Sequence, residues 1–194
     1  MDLIIGITGA SGVIYGIRLL EILSGIKTIK THLVISEAAK TTMKHETTRT
    51  PENLLQLADY SYEIQDISAP ISSGSFKTDG MIIVPCSIKT MSAISNSYNE
   101  NLMIRVADVT LKERRKLVLV VRESPLHLGH LRSMEHLTEM GAIILPPVPA
   151  FYTRPQSVQD IVDFTVGKVL DTFDIEHTLF RRWSGQMPNS EMND

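Results

Sequence analysis

Cysteine is almost missing from this chain: Cys86 is the only one in 194 residues. That excludes an intramolecular disulfide framework and a cysteine-cluster zinc site. The six histidines, His32, His45, His127, His130, His136 and His177, are scattered, and none makes a metal-ligand spacing with its neighbours. They read as surface residues. No apolar run approaches the roughly 18 residues that span a membrane. The run Leu117 to Val121 is closed by charge on both sides. The opening Met1-Asp2-Leu3-Ile4-Ile5-Gly6 lacks a basic stretch, so it reads as a strand and not a signal peptide, and a cytoplasmic location is expected. An excess of one charge is lacking too. The formal net charge of −3 gives no general attraction to nucleic acid, so any anion site must come from a local cluster.

Hydrophobic residues make up 43% and charged residues 21%, close to the globular average, and the length suits one domain. Continuous apolar runs predict strands over Leu3–Thr8, Thr31–Ile35, Gly80–Pro85, Leu117–Val121 and Ala142–Leu145. Between them, helical patterns cover Val13–Ser24, Glu37–His45, Pro51–Ala58, Ser87–Ser95, Asn101–Arg115 and Leu128–Met140, with a last helix over Gln156–Phe173. Apolar strands alternating with helices argue for a parallel sheet covered on both faces. The expected fold is therefore α/β: a Rossmann-like or flavodoxin-like doubly wound parallel sheet in a single domain. That domain is placed at 1–184, with a polar tail over 185–194. Asp66 to Lys77 reads as a loop. The prolines of Leu145-Pro146-Pro147-Val148-Pro149 predict an extended segment.

Open α/β sheets bind ligands beyond the carboxyl ends of their strands. After the first strand comes Gly6-Ile7-Thr8-Gly9-Ala10-Ser11-Gly12, where glycines let a ring or phosphate approach the backbone. It is neither a Gly-x-Gly-x-x-Gly nor a Walker A loop. Ser11 adds a hydroxyl, and a plain helix cap is its structural alternative. After the second strand, Ser36 stands where a dinucleotide fold often has a ribose-binding acid, which fits a mononucleotide at least as well as NAD. Ser36, too, is open to a capping role. After the third strand, Cys86 precedes Ser87-Ile88-Lys89-Thr90, two hydroxyls and a lysine at a helix start suited to phosphate. Cys86 has no base beside it and reads as a packing residue. After the fourth strand come Arg122 and Glu123, and an arginine fork suits phosphate. Arg105 and Lys112 are two helical turns apart on one stripe. Arg114, Arg115 and Lys116 read as a solvated face. These features support a phosphorylated organic cofactor without naming a reaction.

Seven motifs carry the identification further. They are Gly9-Ala10-Ser11-Gly12, Ser72-Ser73-Gly74-Ser75, Pro85-Cys86-Ser87, the run from Arg105 to Lys112, the run Leu117 to Arg122-Glu123, Pro149-Ala150-Phe151-Tyr152, and Arg182-Trp183. In this order, over nearly the whole chain, they resemble the flavin prenyltransferases of the UbiX/Pad type, and the stretch Ile71 to Met81 resembles the branch associated with hydroxyarylic acid decarboxylases. The resemblance implies an enzyme that needs no metal and moves a dimethylallyl group from dimethylallyl phosphate to N5 and C6 of reduced FMN. The prenylated FMN would serve a UbiD-type decarboxylase. By position, Gly9, Ala10, Ser11, Ser36, Ser87, Ile88, Lys89, Thr90 and Arg122 match the FMN site. Tyr152 and Lys168 match the dimethylallyl phosphate site, with Arg105, Lys112 and Glu123 near it and Trp183 over it. Glu46 matches an acid/base glutamate working with Ser11, and Glu123 and Tyr152 stand with them as catalytic candidates. The family's sites lie between subunits of a large homo-oligomer, often a dodecamer. Two departures stand out: His130-Leu131-Arg132-Ser133-Met134 replaces the usual His-Leu-Glu-Asn-Met, and Val121 replaces a common proline. Other readings are a flavin-dependent decarboxylase of the cysteine-decarboxylase superfamily, with His45 as its histidine, and an FMN carrier subunit.

Overall fold

The computed structural model describes residues 1–185. The chain divides into two compact units, Met1–Pro147 and Val148–Asp194. The tail expected over 185–194 lies, beyond Gly185, outside the described residues.

The first unit holds a six-stranded parallel sheet of order β3-β2-β1-β4-β5-β6. Its strands are β1 (Asp2–Ile7), β2 (Lys30–Ile35), β3 (Tyr60–Tyr62), β4 (Gly80–Cys86), β5 (Lys116–Val121) and β6 (Ala142–Ile144). Its helices are α1 (Val13–Ser24), α2 (Glu37–Glu46), α3 (Pro51–Leu57), α4 (Ile88–Ser95), α5 (Leu102–Lys112) and α6 (Leu128–Glu139). The doubly wound α/β expectation holds. One strand, β3, is absent from the sequence reading. It is three residues of an edge, Tyr-Ser-Tyr, with its first two residues exposed, too short for any periodicity to mark it.

Alternation along each buried strand divides the core. Ile4, Val34, Met81, Ile83, Leu117 and Leu119 pack with Val106 and Ala107 of α5 and Leu137 of α6. The intervening residues, Ile5, Ile7, Leu33, Ile82 and Val118 among them, are buried on the other face, where α1 lies against β1 and β4. Gly16 permits that contact. A Cβ there would stand 2.5 Å from the Val84 carbonyl oxygen. His32 corrects the reading of the histidines as surface groups. It is 2% exposed in β2, stacked on Tyr60 at 4.8 Å, with Nδ1 3.0 Å from the Tyr62 hydroxyl and Nε2 3.4 Å from Asp2.

The second unit contains α7 (Val158–Asp171), begun by a capping box in which Ser157 accepts from the Asp160 N–H and Asp160 accepts from the Ser157 N–H. His177 is also buried here, its side chain 3% exposed.

Candidate active site

Strand order reverses between β1 and β4, where successive crossovers leave in opposite directions and a crevice opens at the carboxyl ends. Thr8 ties these two strand tips together. Its buried hydroxyl donates to the Pro85 carbonyl at 2.7 Å and accepts from the Ser87 N–H at 2.8 Å. Next to it, a Cβ on Gly9 would lie 2.4 Å from Ala38 Cβ and 2.9 Å from its carbonyl carbon. Only glycine lets α2 close in, and Thr42 then donates its hydroxyl to the Gly9 carbonyl at 3.0 Å. The Arg122 N–H donates to the Cys86 carbonyl at 3.1 Å, which fixes Arg122 beside the β4 tip. Cys86 itself is fully buried, and burial pushes its thiol far above the usual range. It packs, and no thiolate forms at neutral pH.

Three helices start at these tips, and their N-termini are not alike. At α2, Ser36 accepts from the Ala39 N–H at 3.1 Å. At α4, Ser87 accepts from the Thr90 N–H at 3.3 Å and donates to the Thr90 hydroxyl at 3.1 Å. Both serines therefore cap, and both also line a cavity of about 380 Å³ with Thr8, Gly9, Lys89 and Thr90. Two helix N-termini and the hydroxyls of Ser36, Ser87 and Thr90 suit an anion here, with Glu37 and Glu100 also on the cavity wall.

At α1 the cap is Gly12, with φ +95°, and no side chain of its own turn satisfies the helix. Glu46, from the last residue of α2, fills the place. It accepts from the Gly12 N–H at 2.8 Å, from the Val13 N–H at 3.3 Å and from the Ser11 hydroxyl. Ser11 is thus not a cap but a donor to Glu46. Partial burial works to raise the Glu46 pKa. The three hydrogen bonds and the Arg122 charge outweigh it and hold the carboxyl below its ordinary 4.5. Glu46 is a carboxylate at neutral pH, a base with a hydroxyl already bonded to it. Its negative charge at the α1 N-terminus disfavours a second anion there.

Of the remaining cations, Lys89 lines the cavity. Lys89 is largely exposed and paired with Glu100 at 3.0 Å. Arg105 donates to the Ser72 carbonyl and to Asp108, each at 3.2 Å. Lys112 pairs with Glu113 beside Gly74. It ends α5 just before β5 begins, at the opposite end of the sheet from the strand tips. Arg115 corrects its reading as a solvated residue: it donates to the carbonyls of Gly74 at 2.7 Å and Phe76 at 2.8 Å and so pins the Ser72–Ser75 loop. Glu123 accepts from the following Ser124 N–H at 2.9 Å. His45 is exposed on α2. Among the described residues no group of three His, Cys, Asp or Glu side chains is placed to hold a metal.

Tyr152, Lys168 and Trp183 belong to the second unit. Tyr152 meets Phe164 of α7 edge-on at 6.0 Å and Trp183 edge-on at 5.7 Å. Lys168 lies 3.5 Å from Asp171. Sequence reasoning missed Thr8 as the link between the tips, although a hydroxyl at the last place of an otherwise apolar strand was there to be noticed. Arg115 carried no such signal, because its partners are carbonyls about 40 residues away.

Fold and site define a class: a doubly wound α/β protein whose β1–β4 switch point suits a phosphorylated ligand, with an ionised glutamate at the start of α1. The model of the family described as Flavoprotein matches residues 1–170. The flavin prenyltransferase UbiX of Escherichia coli strain K12 is 57% identical over 185 residues, covering 94% of this chain and 98% of that one. A dodecameric FMN-dependent UbiX-like decarboxylase from Escherichia coli O157:H7 superposes with a TM-score of 0.94 at 50% identity, over 95% of this chain and all of the other. AnUbiX (PadA1), solved with FMN and dimethylallyl pyrophosphate, gives a TM-score of 0.92 at 48% identity, over 95% of this chain and 98% of that one. The chain belongs to the flavoprotein family and, within it, to the flavin prenyltransferases of the UbiX type.

Proposed function

We propose that this protein transfers a dimethylallyl group from dimethylallyl phosphate to reduced FMN, with Glu46 as the base. FMN phosphate fits the cavity shared by the α2 and α4 N-termini, where Ser36, Ser87 and Thr90 offer hydroxyls and the helix ends offer positive potential. Gly9 and Ala10 lie in the turn after β1 that the resemblance assigns to the flavin, and Arg122 beside the β4 tip supplies a donor and a charge. Reduced FMN, when bound, supplies the electron-rich ring that takes the new bonds at N5 and C6. Glu46 holds the Ser11 hydroxyl as a relay and removes the proton that the second bond displaces. Tyr152, Lys168 and Trp183 form the prenyl-donor end, where a cation and aromatic faces suit a phosphate that leaves from an allyl group.

Arg105 and Lys112 complete that end for a second copy. Lys112 sits at the far end of its own sheet, so it can serve a neighbour's site but not the tips of its own strands. Exposed Leu126, Leu128 and Leu131 around the start of α6 support assembly, which in the UbiX-like decarboxylase of Escherichia coli O157:H7 is a dodecamer. A UbiD-type decarboxylase is the consumer of the product, and a cytoplasmic location is consistent with the absence, among the described residues, of any helix long and apolar enough to cross a membrane.

The observation that carries this reading is Glu46. An ionised carboxylate holds a hydroxyl at the start of α1, while the proposed phosphate cavity lies at the starts of α2 and α4. Replacing it tests the reading. Glu46→Gln should slow prenyl transfer by about 10²–10⁴-fold, the usual worth of acid–base help, while FMN stays bound. Unchanged turnover removes Glu46 from the role.

A further inference from the structure

Asp171 gathers more partners than any role given to it so far requires. Arg182 forks onto it, Nη2 to Oδ1 at 2.7 Å and Nη1 to Oδ2 at 3.2 Å. His177 reaches Oδ1 with Nε2 at 3.1 Å. The Nδ1 of that ring accepts from the Leu179 N–H at 3.2 Å, so Nε2 carries the proton and donates. Lys168 stands 3.5 Å from Oδ2. Burial alone would push the Asp171 carboxyl up, but Arg182 and His177 together hold it below its ordinary value.

The arrangement follows from one face of α7. Phe164, Gly167, Lys168 and Asp171 recur at the i, i+3, i+4, i+7 spacing that lines up one side of a helix. The segment after α7 lies back along this face. A Cβ at Gly167 would stand 2.5 Å from a Phe180 ring carbon and 2.7 Å from His177 Cε1, so glycine is what lets the segment lie that close. Phe180 packs on Phe164 at 4.8 Å. One residue past the Arg182 fork, Trp183 meets Tyr152. The order along the strap is therefore His177 and Phe180 seated on α7, Arg182 locked to Asp171, then Trp183 delivered to Tyr152.

We propose that the Asp171–Arg182 clasp is a positioning device for the prenyl-donor end of the site: it lays the strap along α7 and so sets Trp183 edge-on against Tyr152. This rests on the reading that Tyr152, Lys168 and Trp183 receive dimethylallyl phosphate. The two ion pairs on Asp171 differ in kind. The Arg182 fork is bidentate and charge-assisted, whereas the single Lys168 contact is long, half-exposed and weak. A phosphate can therefore draw Lys168 away while the clasp stays shut.

Trp183 is the only tryptophan in the chain, so its fluorescence reports the strap without labelling. The test uses the full-length protein loaded with FMN. Arg182→Gln opens the clasp but leaves Lys168 on Asp171; Asp171→Asn opens it from the other side. In both, acrylamide should quench Trp183 more strongly than in the parent. The KM for dimethylallyl phosphate should rise roughly three- to tenfold, the worth of an edge-on aromatic pair, with kcat and FMN affinity little changed. The double variant should be no worse than either single one. A role in folding alone would lower the melting temperature and leave KM in place. A donor KM within twofold of the parent in Arg182→Gln, whose side chain is mostly exposed and should not threaten folding, overturns the proposal, as does unchanged quenching. If the parent itself transfers no prenyl group, the functional reading fails separately, and the quenching still reports the clasp.

Discussion

Glu46 separates two jobs that a glycine-rich first turn usually combines. In many doubly wound folds the first helix N-terminus holds the ligand phosphate. Here the protein's own carboxylate is there, bonded to Gly12, Val13 and Ser11. Because its pKa is lower folded than unfolded, Glu46 adds stability above the ordinary carboxylate range, and that contribution is lost as acid protonates it through its lowered value. Glu46→Gln should therefore flatten the fall in melting temperature on acidification below about pH 5; a parallel fall in both proteins contradicts this. His32 acts with the opposite chemistry. Burial lowers its pKa, only partly offset by Asp2, so the unfolded chain binds its proton more readily than the folded one. Stability should be flat above the ordinary value of 6.5 and decline below it, and His32→Gln should remove part of that decline in melting curves taken from pH 7.5 to pH 5. Residues of this sort are where sequence reading stopped short. Ser36 and Ser87 could be placed at strand ends by pattern alone; the pairing of Ser11 with Glu46, 35 residues away, came only from the family resemblance, because it depends on how α2 packs against Gly9.

At the scale of elements, the strand and helix pattern was legible because parallel strands buried on both faces read as continuous apolar runs. Most long elements were found within a residue or two, and α1 to the residue, Val13–Ser24, while α5 stops at Lys112, three residues short of the expected Arg115. The edge strand β3 was not, since pairing with β2 and not its own composition makes Tyr60–Tyr62 a strand. The Thr8 hydroxyl joins β1 to β4 at the switch point through one donated and one accepted bond. Thr8→Val keeps the shape and removes both, leaving the partly buried Ser87 N–H without its partner. It should cost about 1–3 kcal/mol in urea unfolding, and FMN should bind more weakly because the start of α4 is no longer fixed. Gly16→Val is the harsher change. Its Cβ would enter the Val84 carbonyl, and overpacking of this kind costs about 1–3 kcal/mol or more.

For the whole molecule, the placement of Lys112 is the telling fact. It was read in the sequence beside Arg105 on one stripe, and that stripe runs towards the amino end of the sheet, away from the tips. Sequence spacing shows that two residues share a face but not which copy's ligand the face meets. Co-expressing Lys112→Ala subunits with Glu46→Gln subunits should restore part of the prenyl transfer that each lacks alone, since mixed assemblies contain sites with both residues intact. Failure of mixed assemblies to regain activity would place Lys112 outside the site. The central claim, that these strand tips hold FMN for prenylation, is tested most directly by incubating the pure protein with reduced FMN and dimethylallyl phosphate and weighing the released flavin by mass spectrometry. The account predicts a flavin heavier by one five-carbon unit, formed without added metal. A flavin of unchanged mass, recovered from protein that binds both compounds, would contradict it.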